Sequence, residues 1–338
     1  MHNRLSLFND EDLQKQLDLQ KRLAWDLEKD IPWGPIDLTK PLVPLDDDAL
    51  MFPGASAEQR LAISQMMGLV MASAICEMEE SLMRLKSKCW DKLMEENPIN
   101  PEFLALGEQF FIEEEKHAAS FRRFIRDFCR DMGLDPEELR SILPLVEQTK
   151  TEWFLEQNLK TGGIAFWWII AEVEQEFLYL YHAMRPFASK LEPLHFTIHK
   201  KHFEEEVRHL SFPHLFLKHL SDRQEGGMIA ALRKVDLVFA QSLKLTWTAA
   251  TVQKLTKVEK KRDVHPFYRT LADTIPMLKE QNIFEISWNL LVKTPYISSF
   301  MNHRYHTKFS HIIEDLGVWT LPFPRPLPAK LRTEGDPV

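Results

Sequence analysis

The sequence predicts an all-α protein. Gly (11) and Tyr (5) are scarce among 338 residues, whereas Phe (22), Met (13) and Trp (9) are abundant, which suits a helical chain with a large apolar core. No stretch of useful length alternates apolar and polar residues with the two-residue period of a half-buried strand. Helix starts and stops, by contrast, bracket long runs that contain few breakers.

Taken in order, Asp10 to Asp30 reads as a helix. Ile31-Pro32-Trp33-Gly34-Pro35 then opens a Pro-rich arm that runs to about Pro53; it is too apolar for a free linker and is expected to wrap the rest. Ser56, with Gln59 three residues on, forms a capping box for a long helix over about 57–95. A second long helix runs from Pro101 at its first turn to Met132, with Gly133 as the stop. Asp135-Pro136-Glu137-Glu138 starts a further helical stretch, interrupted near Pro144. Gly162-Gly163 precedes a helix over about 164–185, which Pro186 ends or kinks. Pro193 opens a helix to about 221, with a kink expected at Pro213. Beyond Gly226-Gly227, helices are expected near 228–258, 265–281 and 296–315, followed by an extended Pro-rich tail from Trp319 to Val338. The organisation is therefore an N-terminal helix and arm (1–55), a helical core (56–222) and C-terminal helices (223–338) packed on that core as one structural domain.

The net charge of −8 argues against nucleic acid as a partner. Cys76, Cys89 and Cys129 are too few and too scattered for a disulfide framework or a zinc motif, which points to a reducing cytoplasm. The N-terminus lacks the apolar run of a signal peptide. The most apolar stretch, Ile164 to Ala171, falls short of the ~20 residues needed to cross a bilayer, and Glu172 interrupts it. A soluble protein with no membrane span is expected.

One pattern carries chemistry. Glu113-Glu114-Glu115-Lys116-His117 recurs as Glu205-Glu206-Val207-Arg208-His209, so both copies read Glu-Glu-x-basic-His. Each holds a Glu-x-x-His, which sets a carboxylate and an imidazole one helical turn apart on one face. With 31 Glu and 13 His, roughly one such spacing is expected by chance; the chain has three, the third being Glu192-Pro193-Leu194-His195. The significance lies in order and burial. Glu114 shares its face with Phe110, Phe111, His117 and Ala118, and Glu206 with His202, Phe203, His209 and Leu210. A carboxylate on such a face is costly unless it is neutralised, and a metal ion neutralises it.

A dimetal four-helix bundle also needs one inward Glu from each of two partner helices. Glu79, flanked by Ile75, Cys76, Leu82 and Met83, is favoured over Glu77 and Glu80. Glu174, flanked by Ile170, Ala171, Phe177 and Leu178, is favoured over Glu172 and Glu176. The order is then Glu79, Glu114-x-x-His117, Glu174, Glu206-x-x-His209. Four carboxylates match the charge of two divalent ions, and mixed oxygen and nitrogen donors favour iron or manganese. His202 lies four residues before Glu206, ~6 Å along the axis, within ligating reach. His199 and His195 lie farther along the stripe, ~10 and ~16 Å away, and either line a space above the metals or merely pack and cap.

His202-x-x-x-Glu206-x-x-His209, together with Glu79, Glu114, His117 and Glu174, resembles the p-aminobenzoate N-oxygenase (AurF-like) diiron family of the ferritin-like superfamily. The resemblance covers about residues 56–220, with a weaker likeness in the Trp33-Gly34-Pro35-Ile36-Asp37 arm. It implies a ferritin-like four-helix core that binds two iron ions, with a Mn/Fe pair as a variant and O2 as co-substrate. Enzymes of that family reduce O2 at a diferrous pair and attack a small organic substrate, typically an aryl-amine nitrogen, through a peroxo-bridged diferric species. An external electron donor is then required, and a homodimer is left open. The implied ligands are Glu79, Glu114, His117, Glu174, His202, Glu206 and His209. Glu113 and Glu205 are candidates to orient imidazoles across the bundle, with two solvated acids as the alternative. Phe110, Phe203, Trp167 and Phe177 either line a dry substrate pocket or simply pack the core. Competing readings are a ferritin-like hydroxylase, desaturase or oxidase, or a non-catalytic metal-storage or structural protein.

Overall fold

The computed structural model describes residues 10–44, 54–96, 100–145, 147–160, 162–209, 211–221, 254 and 257–279. Among these the protein is all-α. The helices are α1 (Asp10–Leu23), α2 (Ala57–Lys86), α3 (Lys92–Glu96), α4 (Pro101–Met132), α5 (Pro136–Ile142), α6 (Gln148–Leu159), α7 (Ile164–Met184), α8 (Pro193–His209), α9 (Ser211–Ser221), α10 (Pro266–Ala272) and α11 (Ile275–Lys279).

Local chemistry sets most of these boundaries. At the start of α2, Ser56 Oγ accepts from the Gln59 backbone N–H and Gln59 Oε1 accepts from that of Ser56, completing the expected capping box. Asn100 Oδ1 caps α4 by accepting from the Phe103 N–H at 3.0 Å. Gly133 closes α4 at φ 75°, a left-handed conformation that costs other residues roughly 1 kcal/mol. One further end follows from proline. Pro276 lacks the N–H that would bond to the carbonyl of Ala272, where α10 ends, and the single helix expected over 265–281 is two. The helix expected from Pro193 to about 221 is helical over Pro193–His209 and Ser211–Ser221, and residue 210 between them lies outside the described residues.

Two expected helices are interrupted for other reasons. The first was expected to reach Asp30, but α1 stops at Leu23. The Asp26 carboxylate accepts from the backbone N–H groups of Glu28 and Lys29, both at 3.0 Å, and so favours a local turn over another helical turn. The helix expected over 57–95 contains a π-helical turn, Ser87–Asp91, between α2 and α3. Within this wide turn the Cys89 carbonyl accepts from Trp167 Nε1 at 2.9 Å. After α7, Pro186 sits in a 3₁₀ turn, Arg185–Phe187.

Helix α4 packs against α2, α1 and α8, while α7 packs against α8, α9 and α6. Two apolar clusters fill the interior. Ile75, Phe121, Phe177 and Ile198 belong to one, and Leu82, Phe110, Ala171 and Phe212 to the other. On α2, α4 and α7 the two clusters flank Glu79, Glu114 and Glu174 from opposite ends, and the polar stretch 202–209 of α8 lies between Ile198 and Phe212. A layer of acids and imidazoles thus crosses the core between two greasy plugs.

The described part of the arm is laced to this core. Ser64 Oγ donates to the Val43 carbonyl (2.7 Å) and accepts from its N–H (3.1 Å). Gln65 Nε2 donates to the Leu38 carbonyl, and the Ile36 N–H donates to Asp131. Among the described residues one helical stretch, Ala57–Glu95, is long and apolar enough to cross a membrane, but 67% of its most apolar window is buried within the molecule, as befits a core helix. The helices expected near 296–315, most of 228–258 and the tail lie outside the described residues.

Candidate metal centre

The four core helices aim one cluster of side chains inward. Glu79 comes from α2, Glu114 and His117 from α4, Glu174 from α7, and His202, Glu206 and His209 from α8. All seven are buried. His202 Nε2 lies 3.0 Å from Glu79 Oε1 and 2.9 Å from Glu206 Oε1, and His117 Nδ1 lies 3.1 Å from the same Glu206 oxygen. On the other side, His209 Nδ1 lies 2.8 Å from Glu114 Oε1, 3.4 Å from Glu206 Oε2 and 3.9 Å from Glu174 Oε2. Two overlapping sets with metal-ligand spacing result: Glu79, His117, His202 and Glu206, and Glu114, His117, Glu206 and His209. Glu174 borders the second set without belonging to it by distance.

The rival carboxylates on α2 are used elsewhere. Arg140 Nε lies 2.6 Å from Glu77 Oε1, and Arg122 and Arg84 both pair with Glu80. The side chains of Glu172 and Glu176 lie outside the described residues.

Glu113 and Glu205 are buried too, and they reach across between the two motifs. Glu205 Oε2 lies 2.7 Å from His117 Nε2, and Glu113 Oε2 lies 2.6 Å from His209 Nε2. Each carboxylate fixes a tautomer. With Nε2–H donating outward, Nδ1 of each ring presents a lone pair inward, toward carboxylate oxygens that also present lone pairs. Accordingly, seven inward atoms have no hydrogen-bond partner: His117 Nδ1, His209 Nδ1, Glu79 Oε2, Glu114 Oε1, Glu174 Oε2 and both oxygens of Glu206. Acceptors facing acceptors in a dry layer are stable only with cations between them. The donor set, four carboxylates and three imidazoles, fits hard or borderline divalent ions.

Without a cation, protons must serve. Burial and the charges of Glu114 and Glu206 hold the Glu79 carboxyl well above its usual range. Glu174 is raised likewise by burial and by Glu206 and Glu114. Burial alone would push Glu206 up, but the His209 and His202 charges bring it well below. For His117, burial is outweighed by its hydrogen bond to Glu205 and by the negative charges of Glu206 and Glu114, and the imidazole rises to about 9. Glu205 shows the matching effect: burial is outweighed by His117 and Lys116, and its carboxyl falls to about 2.

No protein-family model and no curated protein matches the chain.

Other expected residues have plainer places. In the third Glu-x-x-His, Glu192 caps α8: its Oε2 accepts from the His195 backbone N–H at 2.6 Å, and its Oε1 accepts from that of Asp37. The rings of His195 and His199 are buried, with Nε2 atoms 3.1 Å apart, against Phe124 and Phe121. Phe110 and Phe177 face the cluster, with ring centroids 4.9 Å from His209 and 5.1 Å from His202. Trp167 packs behind Phe110. Phe203 does not face the cluster: it stacks on Tyr181 at 4.4 Å, because the turn of α8 that points His202 and Glu206 inward points residue 203 outward. Sequence reasoning missed Gln20, Gln109, Trp25 and Lys116, which hold Glu113 and Glu205 from behind.

Proposed function

We propose that this chain is an O2-dependent, non-heme diiron oxygenase with a ferritin-like four-helix core, acting in the cytoplasm on a small organic substrate, with an aryl-amine nitrogen as the favoured target. The observation that carries the reading is the pair of inward Nδ1 lone pairs, fixed by Glu205 and Glu113 and set among unpartnered carboxylate oxygens. Two iron ions, when bound, supply the reduction of O2, with electrons from an external donor.

The chain's own residues do the rest. Glu79, Glu114 and Glu206 would hold and neutralise the ions, with Glu174 bordering the second ligand set; Glu206 and His117 belong to both sets. His117, His202 and His209 donate nitrogen. Glu205 and Glu113 keep the Nε2 protons of His117 and His209, so those rings offer Nδ1 without rotating. Phe110, Phe121 and Phe177 stand against the imidazoles and exclude water. His202 is the feature that favours an N-oxygenase-type centre over a generic dimetal one, because its Nε2 reaches both Glu79 and Glu206.

Metal analysis tests the reading. Protein made under iron-replete conditions is expected to carry about two irons per chain, set by the number of ligand sets. The reduced protein is expected to develop a transient visible absorption when O2 is added. Protein that emerges from iron-replete expression without bound metal would sink the proposal.

A further inference from the structure

Both basic residues of the repeated pentapeptide end on one carboxylate. Lys116 Nζ lies 2.6 Å from Glu205 Oε1, and Arg208 Nη2 lies 3.5 Å from the same oxygen. The Trp25 backbone N–H donates to that oxygen as well, at 3.2 Å. Lys116 is held in place, donating to the Trp25 carbonyl at 3.0 Å, with its ammonium 4.3 Å from the centre of the indole ring. Its side chain is only 16% exposed, so solvent screens its charge weakly.

Glu113 has different company. Gln20 Nε2 donates to its Oε2 at 2.9 Å, and Gln109 Nε2 to its Oε1 at 3.1 Å. These amides orient the carboxylate without cancelling its charge. Two imidazoles in equivalent motif positions therefore stand in front of unequal carboxylates. A carboxylate that keeps its charge makes the imidazole it accepts from a stronger donor at the opposite nitrogen, whereas one shared with two cations does so less. His117 and Glu206 fall within both ligand sets. Distance associates each ring with a different carboxylate: His117 Nδ1 lies 3.1 Å from Glu206 Oε1 and 3.9 Å from Glu79 Oε1, beside His202, whereas His209 Nδ1 lies 2.8 Å from Glu114 Oε1 and 3.4 Å from Glu206 Oε2.

We propose that Lys116, assisted by Arg208, makes the two metal positions unequal, so that a divalent ion binds more weakly at the His117 position than at the His209 position. The inference rests on the dinuclear centre proposed above. Lys116 touches no ion in this arrangement; it is a positioning residue that acts through Glu205 and His117. The two ions then load in order, the His209 position first.

The test is a titration of the full-length, metal-free chain with Co2+, followed by calorimetry and by the visible absorption of bound cobalt. Wild type is expected to bind two ions in two separate steps. Lys116→Met keeps the aliphatic stem against Trp25 and removes the charge. It is expected to tighten the weaker step by about 10-fold, in line with the usual effect of groups behind a ligating histidine, and to leave the tighter step unchanged. Lys116→Arg keeps the charge and is expected to titrate as wild type. Arg208→Met is expected to move the same step the same way by less, and it carries the test if Lys116→Met does not fold. Wild type that binds fewer than two Co2+ would overturn the dinuclear reading and this inference with it. Two ions in wild type, with the charge-removing variant shifting both steps equally, the tighter step alone or neither, would overturn the inference and leave the dinuclear reading standing.

Discussion

His117 and Glu205, 88 residues apart in sequence, lie 2.7 Å apart across the core, and each belongs to a different copy of the same pentapeptide. His209 and Glu113 repeat the relation in reverse at 2.6 Å. Removing either carboxylate's charge weakens the imidazole in front of it. Glu205→Gln and Glu113→Gln are each expected to retain the helical fold and to lose metal affinity by about 10–100-fold. Metal retained per chain after dialysis against a graded chelator reads this out. Retention equal to wild type in both variants would mean that neither carboxylate tunes its imidazole.

His195 carries an acid liability. Burial holds its imidazole down at about 3, well below the usual 6.5, so the folded protein keeps this ring neutral. The unfolded chain takes up a proton there below about pH 6.5. The stability that the neutral ring provides is therefore present above pH 6.5 and is lost as pH falls toward 3. Between pH 6.5 and 5 one such group costs roughly 2 kcal/mol. His195→Phe, which places a second aromatic ring against Phe124, is expected to flatten the loss over that range. Denaturant unfolding at the two pH values measures it; an unchanged slope would show that His195 is protonated in the folded state.

Gly107 on α4 has no room for a side chain. A Cβ built there would come within 2.2 Å of Trp90 Cζ2. Trp90 is fully buried and sits edge-on to Trp167, Phe212 and Phe216, so it has nowhere to retreat. Gly107→Ala is expected to destabilise the protein by about 1–3 kcal/mol, despite alanine's higher helix propensity. A thermal melt decides between the two effects: a higher Tm in the variant would mean that the Trp90 ring shifts freely.

The three thiols should be silent. Cys76, Cys89 and Cys129 are free and buried, and burial raises all three, Cys129 to about 11. Since the thiolate is the reactive form, a thiol reagent at neutral pH is expected to label none of them in minutes and all three after unfolding. Rapid labelling of the native protein would contradict this packing.

Legibility in the sequence followed the range of each interaction. The Ser56–Gln59 box, the Asn100 cap before Pro101 and the Gly133 stop are local chemistry, and the residues announce them. Glu79 could be chosen over Glu77 and Glu80 because its i±3 and i±4 neighbours are apolar. That Arg140 and Arg122 would claim the rivals is a tertiary fact, invisible along the chain. The π-turn at Ser87–Asp91 has no local signature; it answers to Trp90 fitting against Gly107 and to Trp167 seeking a carbonyl. Lys116 was in plain view as the basic residue of the repeat, but its partner, Glu205, lies 89 residues away. Gln20 was no easier, with 93 residues separating it from Glu113.

The N-terminal fastenings also set a schedule for synthesis. Gln20 bonds to Glu113, 93 residues later, and the Trp25 backbone bonds to Glu205, 180 residues later. At a translation speed of about 5–20 residues per second, residue 25 leaves the ribosome roughly 10–40 s before residue 205. Throughout that interval α1 has no complete dock, and the acid behind His117 does not yet exist. The nascent chain therefore cannot close a half-built centre around a passing ion. The buried polar layer is sealed only after the last of its helices has been made, by a segment that has waited since the beginning.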